Sequence, residues 1–185
     1  MTQNSEQLIA CTRQWVSEFV ISHNICPFAK REFEKGSIHY KVVFDNKLED
    51  QLQALILACE ELDTDSSKET SLIIYPNGLD DFENYLDFLE IANALLQKQQ
   101  YEGVYQLASF HPDYCFEGVD EDDASNFTNR SPYPMLHLLR ETSLEKALAS
   151  YPNPEEIPQR NIKYTRELGI SQLTELLNET FTQIR

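Results

Sequence analysis

Residues 129–141 read NRSPYPMLHLLRE, and the reading of this stretch decides how the last third of the chain folds. Ser131 is a preferred helix N-cap. Pro132 would then stand at N1, where its missing N–H costs nothing, and Pro134 falls in the tolerated first turn. The pattern predicts a helix over 132–140 with Asn129 and Arg130 just outside its start. Helix starts attract anions. An anion there would meet Arg130, the Ser131 hydroxyl and the amides of Tyr133 and Met135, although the prolines remove donors such a site would use. The plainer alternative is a firm helix start whose arginine answers the nearby acidic DEDD run. His137 and Glu141, one helical turn apart in this reading, have a spacing a metal can use. A surface hydrogen bond or a histidine at the edge of the core explains the same spacing.

Working outward, residues 111–131 show little periodicity and hold His111, Asp113, Tyr114, Cys115, Asn126, Asn129 and Arg130. A stretch of that length without regular structure points to function or to a mis-assigned element. Before it the pattern is clear. Leu8, Trp15 and Phe19, with Ile9, Val16 and Val20, make a helical stripe over 5–22, and Asn4 with Gln7 supplies a capping box. SIHYKVVF alternates as a half-buried strand. A helix over 47–62 follows, then SLIIY as a central strand, a helix over 79–99, and GVYQLASF as a third strand. Strands joined by helices of this length run parallel with right-handed crossovers. The expected fold is therefore α/β. It has a small, mainly parallel sheet of three or more strands packed by helices, a helical C-terminal part, and one domain over 1–185. Short helices over 143–150, from Asn153 to Gly169, and on Leu173, Leu176, Leu177 and Phe181 complete it.

Parallel strands share one C-terminal edge, and open α/β sheets bind ligands beyond that edge. FDN, YPNG and FHPDYCFEG should converge there.

Composition excludes several classes. The 185 residues carry a formal charge of −16, a field that repels nucleic acid and anionic membranes. No apolar run is long enough to span a bilayer. The N-terminus lacks the basic-then-apolar order of a secretory signal, so a cytoplasmic protein is expected. Cys11, Cys26, Cys59 and Cys115 form no C-x-x-C pair and are expected as thiols. No phosphate-cradling or zinc-protease motif occurs, and the sequence identifies no cofactor and no oligomeric state. Cys26, in the turn HNICPF with His23 before it and Lys30 and Arg31 after it, is a candidate low-pKa thiol. A buried, inert cysteine is the alternative.

NICPFA, FHPDYCF and NRSPYPMLHLLRE, in this order, resemble the signature of a bacterial family, with plant relatives, described as a domain of unknown function. The resemblance covers the whole chain. It implies that Cys26, Pro27, His111, Pro112, Asn129, Arg130, Ser131, Pro132, His137 and Arg140 are signature positions, and it implies no activity.

The leading expectation is an enzyme acting on a small anionic metabolite. His111 and His137 would serve as acid and base, and Cys26 as nucleophile or redox thiol. Arg130, Asn129, Ser131 and Tyr133 would hold a carboxylate or phosphate. The alternatives are a non-catalytic adaptor whose acidic loop 117–123 meets a basic partner, and a metal protein using His111, His137 and Glu141, or Cys26 with His23.

Overall fold

The structure, a computed structural model, describes residues 4–182. Helix α1 (Ser5–Trp15) opens with the expected capping box between Asn4 and Gln7 and continues as a π-helical turn, Val16–Ile21. The order then runs α2 (Ala29–Lys35), β1 (Ile38–Val42), α3 (Leu48–Thr64), β2 (Thr70–Ile74), α4 (Phe82–Lys98) and β3 (Tyr105–Phe110). A short 3-10 turn, Ala124–Thr128, precedes β4 (Met135–Arg140), α5 (Glu141–Ser150), α6 (Ile157–Leu168) and α7 (Ile170–Thr182).

The α/β class and the helical C-terminal part are as expected. The element expected at 132–140 is not. Met135–Arg140 is a strand, and the prolines explain why. Each disfavours the helical region for the residue before it, so Ser131 and Tyr133 are both driven to extended backbone. The short apolar run that follows also suits a strand buried on both faces. Leu136 and Leu138, both 0% exposed, face α3 and α4, whereas Met135 and His137 face α1.

The sheet order is β1-β2-β4-β3. β1 and β2 are parallel, and β4 lies antiparallel between β2 and β3. The sheet is thus mostly antiparallel by pairing, with one parallel pair, where a mainly parallel one was expected. β1, β2 and β3 nevertheless point the same way, because β3 pairs across β4 rather than with β2. Their C-terminal ends share one edge, and β4 starts there: Ile74 and Phe110 both stand opposite Met135.

Two layers of helix cover the sheet. On one side Leu55, Ala58, Cys59 and Leu62 of α3 and Tyr85, Phe88 and Ala92 of α4 pack on Ile73, Leu136 and Leu138. On the other, Leu8, Cys11 and Trp15 of α1, the π-helical turn and Leu173 of α7 pack on Ile38, Leu72, Ile74 and Met135. Arg140, at the far end of β4, donates to the carbonyls of Leu62 and Lys68 and to the Tyr105 hydroxyl. It closes the C-terminus of α3 against the sheet, a position where carbonyls lack helical partners. No helix among the described residues is long and apolar enough to cross a membrane.

Candidate functional site

Five of the expected site residues do meet at the shared strand edge. His111 continues β3 and forms a bridge with Arg130. Its amide donates to Asn129 O at 3.2 Å, and its carbonyl accepts from Ser131 N at 3.3 Å. The Asn129 amide group donates to Ser109 O at 3.0 Å. The Ser131 hydroxyl donates to Tyr133 O at 2.7 Å. The strand-end rule thus located a real cluster.

The chemistry of that cluster is largely committed to the fold. His111 is 0% exposed. Its Nδ1 accepts from the Asp113 amide at 3.0 Å, so the proton sits on Nε2, which donates to Leu79 O at 2.9 Å. Both nitrogens are occupied, and the ring lies against Phe82 and Tyr85. Burial lowers its pKa, only partly opposed by the Leu79 hydrogen bond.

The Arg130 guanidinium stacks on Phe127 at 4.7 Å and donates to Tyr114 O at 3.2 Å and Glu121 O at 2.9 Å. It answers the acidic run through backbone carbonyls, while Arg166 pairs with the Asp123 carboxylate at 2.7 Å. Asn126, fully buried, completes the support. It accepts from Phe116 N at 3.0 Å and donates to Asp120 O at 2.9 Å. Asn126 and Arg130 therefore hold loop 112–123 in shape with its carboxylates outward.

Cys26 stands apart. It sits half-buried after the π-helical turn, packed on the α1 side. Burial raises its pKa, and the Phe28 and Ala29 amides, with the pull of Arg160, offset this only in part. Among the described residues it shares no hydrogen bond or ring contact with His111, Arg130 or His137. The proposed metal set does not assemble either. His137 and Glu141 belong to a strand and to the helix after it, not to one helical face. Glu141 lies roughly 20 Å along the chain from the Met135 end where His111 sits. No group of three metal-ligating side chains is found among the described residues.

His137 is different. It stands mid-strand in β4, facing α1, in one transverse row Tyr40–Leu72–His137–Ala108. The Thr70 hydroxyl lies 2.6 Å from Leu138 O and 2.7 Å from His137 Nε2. A carbonyl can only accept, so the single hydroxyl proton goes to Leu138, and Nε2–H donates to Thr70. Nδ1 is left as a bare acceptor with no partner among the described residues. Burial pushes the His137 pKa down to about 4, keeping the ring neutral.

The layer holding His137 contains further open polar atoms. Trp15 Nε1, on a side chain 1% exposed, and the buried Tyr40 hydroxyl have no hydrogen-bond partner among the described residues. Contacts link them around this layer. Trp15 packs on Phe110 at 5.2 Å, and Phe110 lies 6.3 Å from His137. Two strands over, about 10 Å away across the row, Tyr40 lies under the Arg13 guanidinium at 5.3 Å. Arg13 and Trp15 both belong to α1, which closes the ring. Arg13 also covers Phe33 at 5.1 Å and forms no ion pair with a carboxylate among the described residues. Burial raises the Tyr40 pKa to about 12, with Arg13 pulling the other way. Tyr75 OH on the opposite side of the sheet is also unpartnered, but it stands without such neighbours, walled by Phe88.

Arg13, Trp15, Tyr40 and Thr70 were not expected as site residues. Their patterns read as helix stripe and strand face, and nothing in the sequence marks a polar atom as unpartnered.

The model of a family described as "Protein of unknown function (DUF1415)" matches residues 7–175. This bears out the resemblance to a family of unknown function. No curated protein and no solved structure matches the chain.

Proposed function

The chain belongs to the DUF1415 family of proteins of unknown function, and on that premise we propose that it binds a small anionic metabolite between α1 and the sheet. The observation that carries this is the pair of buried polar atoms without a partner among the described residues on the α1 side of the sheet, Trp15 Nε1 and Tyr40 OH, with His137 in the same layer. A buried polar group without a partner costs roughly 1–3 kcal/mol, so a molecule that satisfies several at once gains binding free energy from each. The roles follow from the atoms. Arg13, free of a carboxylate among the described residues, is the counter-charge for a carboxylate or phosphate and is suited to planar pairing. Trp15 and Tyr40 donate to ligand oxygens. His137 Nδ1 accepts from a ligand hydroxyl or N–H.

This keeps the expected ligand class and moves the anion anchor from Arg130, whose Nε and Nη2 already donate to the Tyr114 and Glu121 carbonyls, to Arg13. It also favours recognition over proton transfer. General acid–base catalysis works best with a pKa near the operating pH. His137 is pushed far below neutrality, and both ring nitrogens of His111 are occupied. The net charge of −16 repels anions at long range, but screening limits that to about 8 Å at physiological salt. A local guanidinium then dominates.

The test is a thermal-shift screen of small carboxylates and phosphate esters. A ligand that raises the Tm of the wild type should lose its effect in Arg13→Ala and in His137→Leu. A ligand that stabilises both variants as strongly as the wild type would show that it binds elsewhere.

A further inference from the structure

We propose that the outward face of α2 is a docking surface for a second copy of this chain, and that the acidic loop 117–122 of that copy seats on it. This stands independently of the ligand reading.

None of the residues of α2 is buried, so the helix lies on the surface with one side uncovered. Lys30, Arg31 and Lys35 fall within a stretch of six residues, and no other stretch of that length in this acidic chain holds three cations. With Pro27 and Glu34 they line an open groove of about 530 Å³. Pro27, Lys30, Arg31 and Glu34 follow helical spacing, which sets them in one stripe. Inside the helix Glu34 lies 3.8 Å from Lys30, and Glu32 lies 3.4 Å from Arg31 and 3.6 Å from Lys35. The Lys30 and Arg31 side chains nevertheless stay 68% and 76% exposed. Ion pairs this open contribute little, so both cations are available to a carboxylate from outside.

Charge complementarity selects the occupant. Glu117, Asp120, Glu121 and Asp122 are exposed and form no ion pair among the described residues. The loop that carries them is already shaped: Asn126 holds the Asp120 carbonyl and Arg130 the Glu121 carbonyl. Little ordering is then left to oppose docking. The loop turns at Gly118, with φ of +72°, and a Cβ there would meet nothing within 4 Å, so the tip projects into solvent. The two surfaces abut opposite ends of α6. Near its start Arg160 donates to the Asn24 carbonyl and Asn161 to the Ile25 carbonyl, just ahead of α2. Near its end Arg166 holds Asp123. Two copies with α6 antiparallel therefore bring the loop of each to the α2 end of the other. Such a contact is two-fold and closes on itself. The net charge of −16 opposes any self-association, but at physiological salt that repulsion is screened beyond about 8 Å, whereas carboxylate and cation meet at contact.

The experiment is sedimentation of the full chain from about 1 µM to about 1 mM at about 0.15 M salt. The wild type should reach a dimer within this range. Asp120→Lys with Asp122→Lys makes the chain less acidic, so general repulsion alone predicts tighter association. Docking on α2 predicts the opposite, a dimer dissociation constant raised about tenfold or more. Lys30→Glu with Arg31→Glu should raise it as well. The chain carrying all four substitutions should return to the wild-type constant, because opposite charges meet again. Circular dichroism verifies that the fold is kept, and either pair of substitutions suffices if the other unfolds the chain. A wild type that stays monomeric overturns the proposal and leaves the α2 face to an acidic segment of another protein. Association of the Asp-to-Lys chain as tight as the wild type, or tighter, overturns it too. So does a fully exchanged chain that associates no better than either pair, since the two surfaces then do not meet.

Discussion

The strand edge and the α1 layer carry the same kinds of side chain and use them in opposite ways. At the edge, His111, Asn126, Arg130 and Ser131 hold loop and strand together, and the hydrogen-bonding groups of His111 and Asn126 meet backbone partners. Under α1, Trp15 and Tyr40 leave a donor and a hydroxyl without a partner among the described residues. The difference teaches that a cluster of polar side chains is not by itself a binding site. What counts is whether its atoms are already occupied.

The contrast can be broken most sharply at Asn126. Replacement by Ala leaves Phe116 N, Asp120 O and Glu121 O without their side-chain partner. Phe116 N loses its acceptor, while Asp120 O keeps the Asp123 amide and Glu121 O keeps Arg130. At about 1–3 kcal/mol for a buried group left open, with the lost packing of a buried side chain, denaturant unfolding should show a loss of about 3 kcal/mol. A loss under about 1 kcal/mol would mean the loop is not built on Asn126.

Acid should act next, through His137. Its folded pKa is about 4 against an ordinary 6.5, so between these values the unfolded chain binds the extra proton. Stability is then full above about pH 6.5 and falls as the pH drops toward 4. The loss from this residue is at most about 3 kcal/mol. Burial of His111 adds in the same direction. In His137→Phe the His137 part of that slope should vanish. An unchanged slope in unfolding curves measured across this range would show that the ring is not held neutral.

A smaller effect separates the two regions directly. Arg13→Ala removes an exposed guanidinium with no carboxylate partner among the described residues, so its Tm should move by no more than a few degrees. Ligand affinity should nevertheless fall about tenfold, the size expected for one charge-assisted contact. The smallest change is expected from Trp15→Phe. It removes an N–H that has no partner among the described residues, so the lost area and the removed unpaired donor nearly cancel, within about 1 kcal/mol. A large destabilisation would reveal a hidden partner for Nε1.

Much of the fold was legible, and the failure was local. β1, α3, β2, α4 and β3 follow from period and length. MLHLLR is too short for periodicity to separate helix from strand. A Ser-Pro start suits a helix N-terminus, but Pro132 and Pro134, two residues apart, force extended backbone on Ser131 and Tyr133. The meeting of His111 with Arg130 was legible from the common direction of three strands. The missed antiparallel β4 did not disturb it, because that strand starts at the same edge. Occupancy was not legible. The partners of His111 and Arg130 are the carbonyls of Leu79, Tyr114 and Glu121, and every residue has a carbonyl. The openness of Trp15 and Tyr40 was hidden for the same reason.

Trp15 is the only tryptophan in the chain, which makes its emission a reporter of the α1 layer alone. The most direct measurement is a fluorescence titration of the wild type with whichever anion gives the largest thermal shift. Binding under α1 predicts a saturable change in Trp15 emission with the same midpoint as the thermal effect. A ligand that stabilises the protein while Trp15 emission stays constant would contradict it.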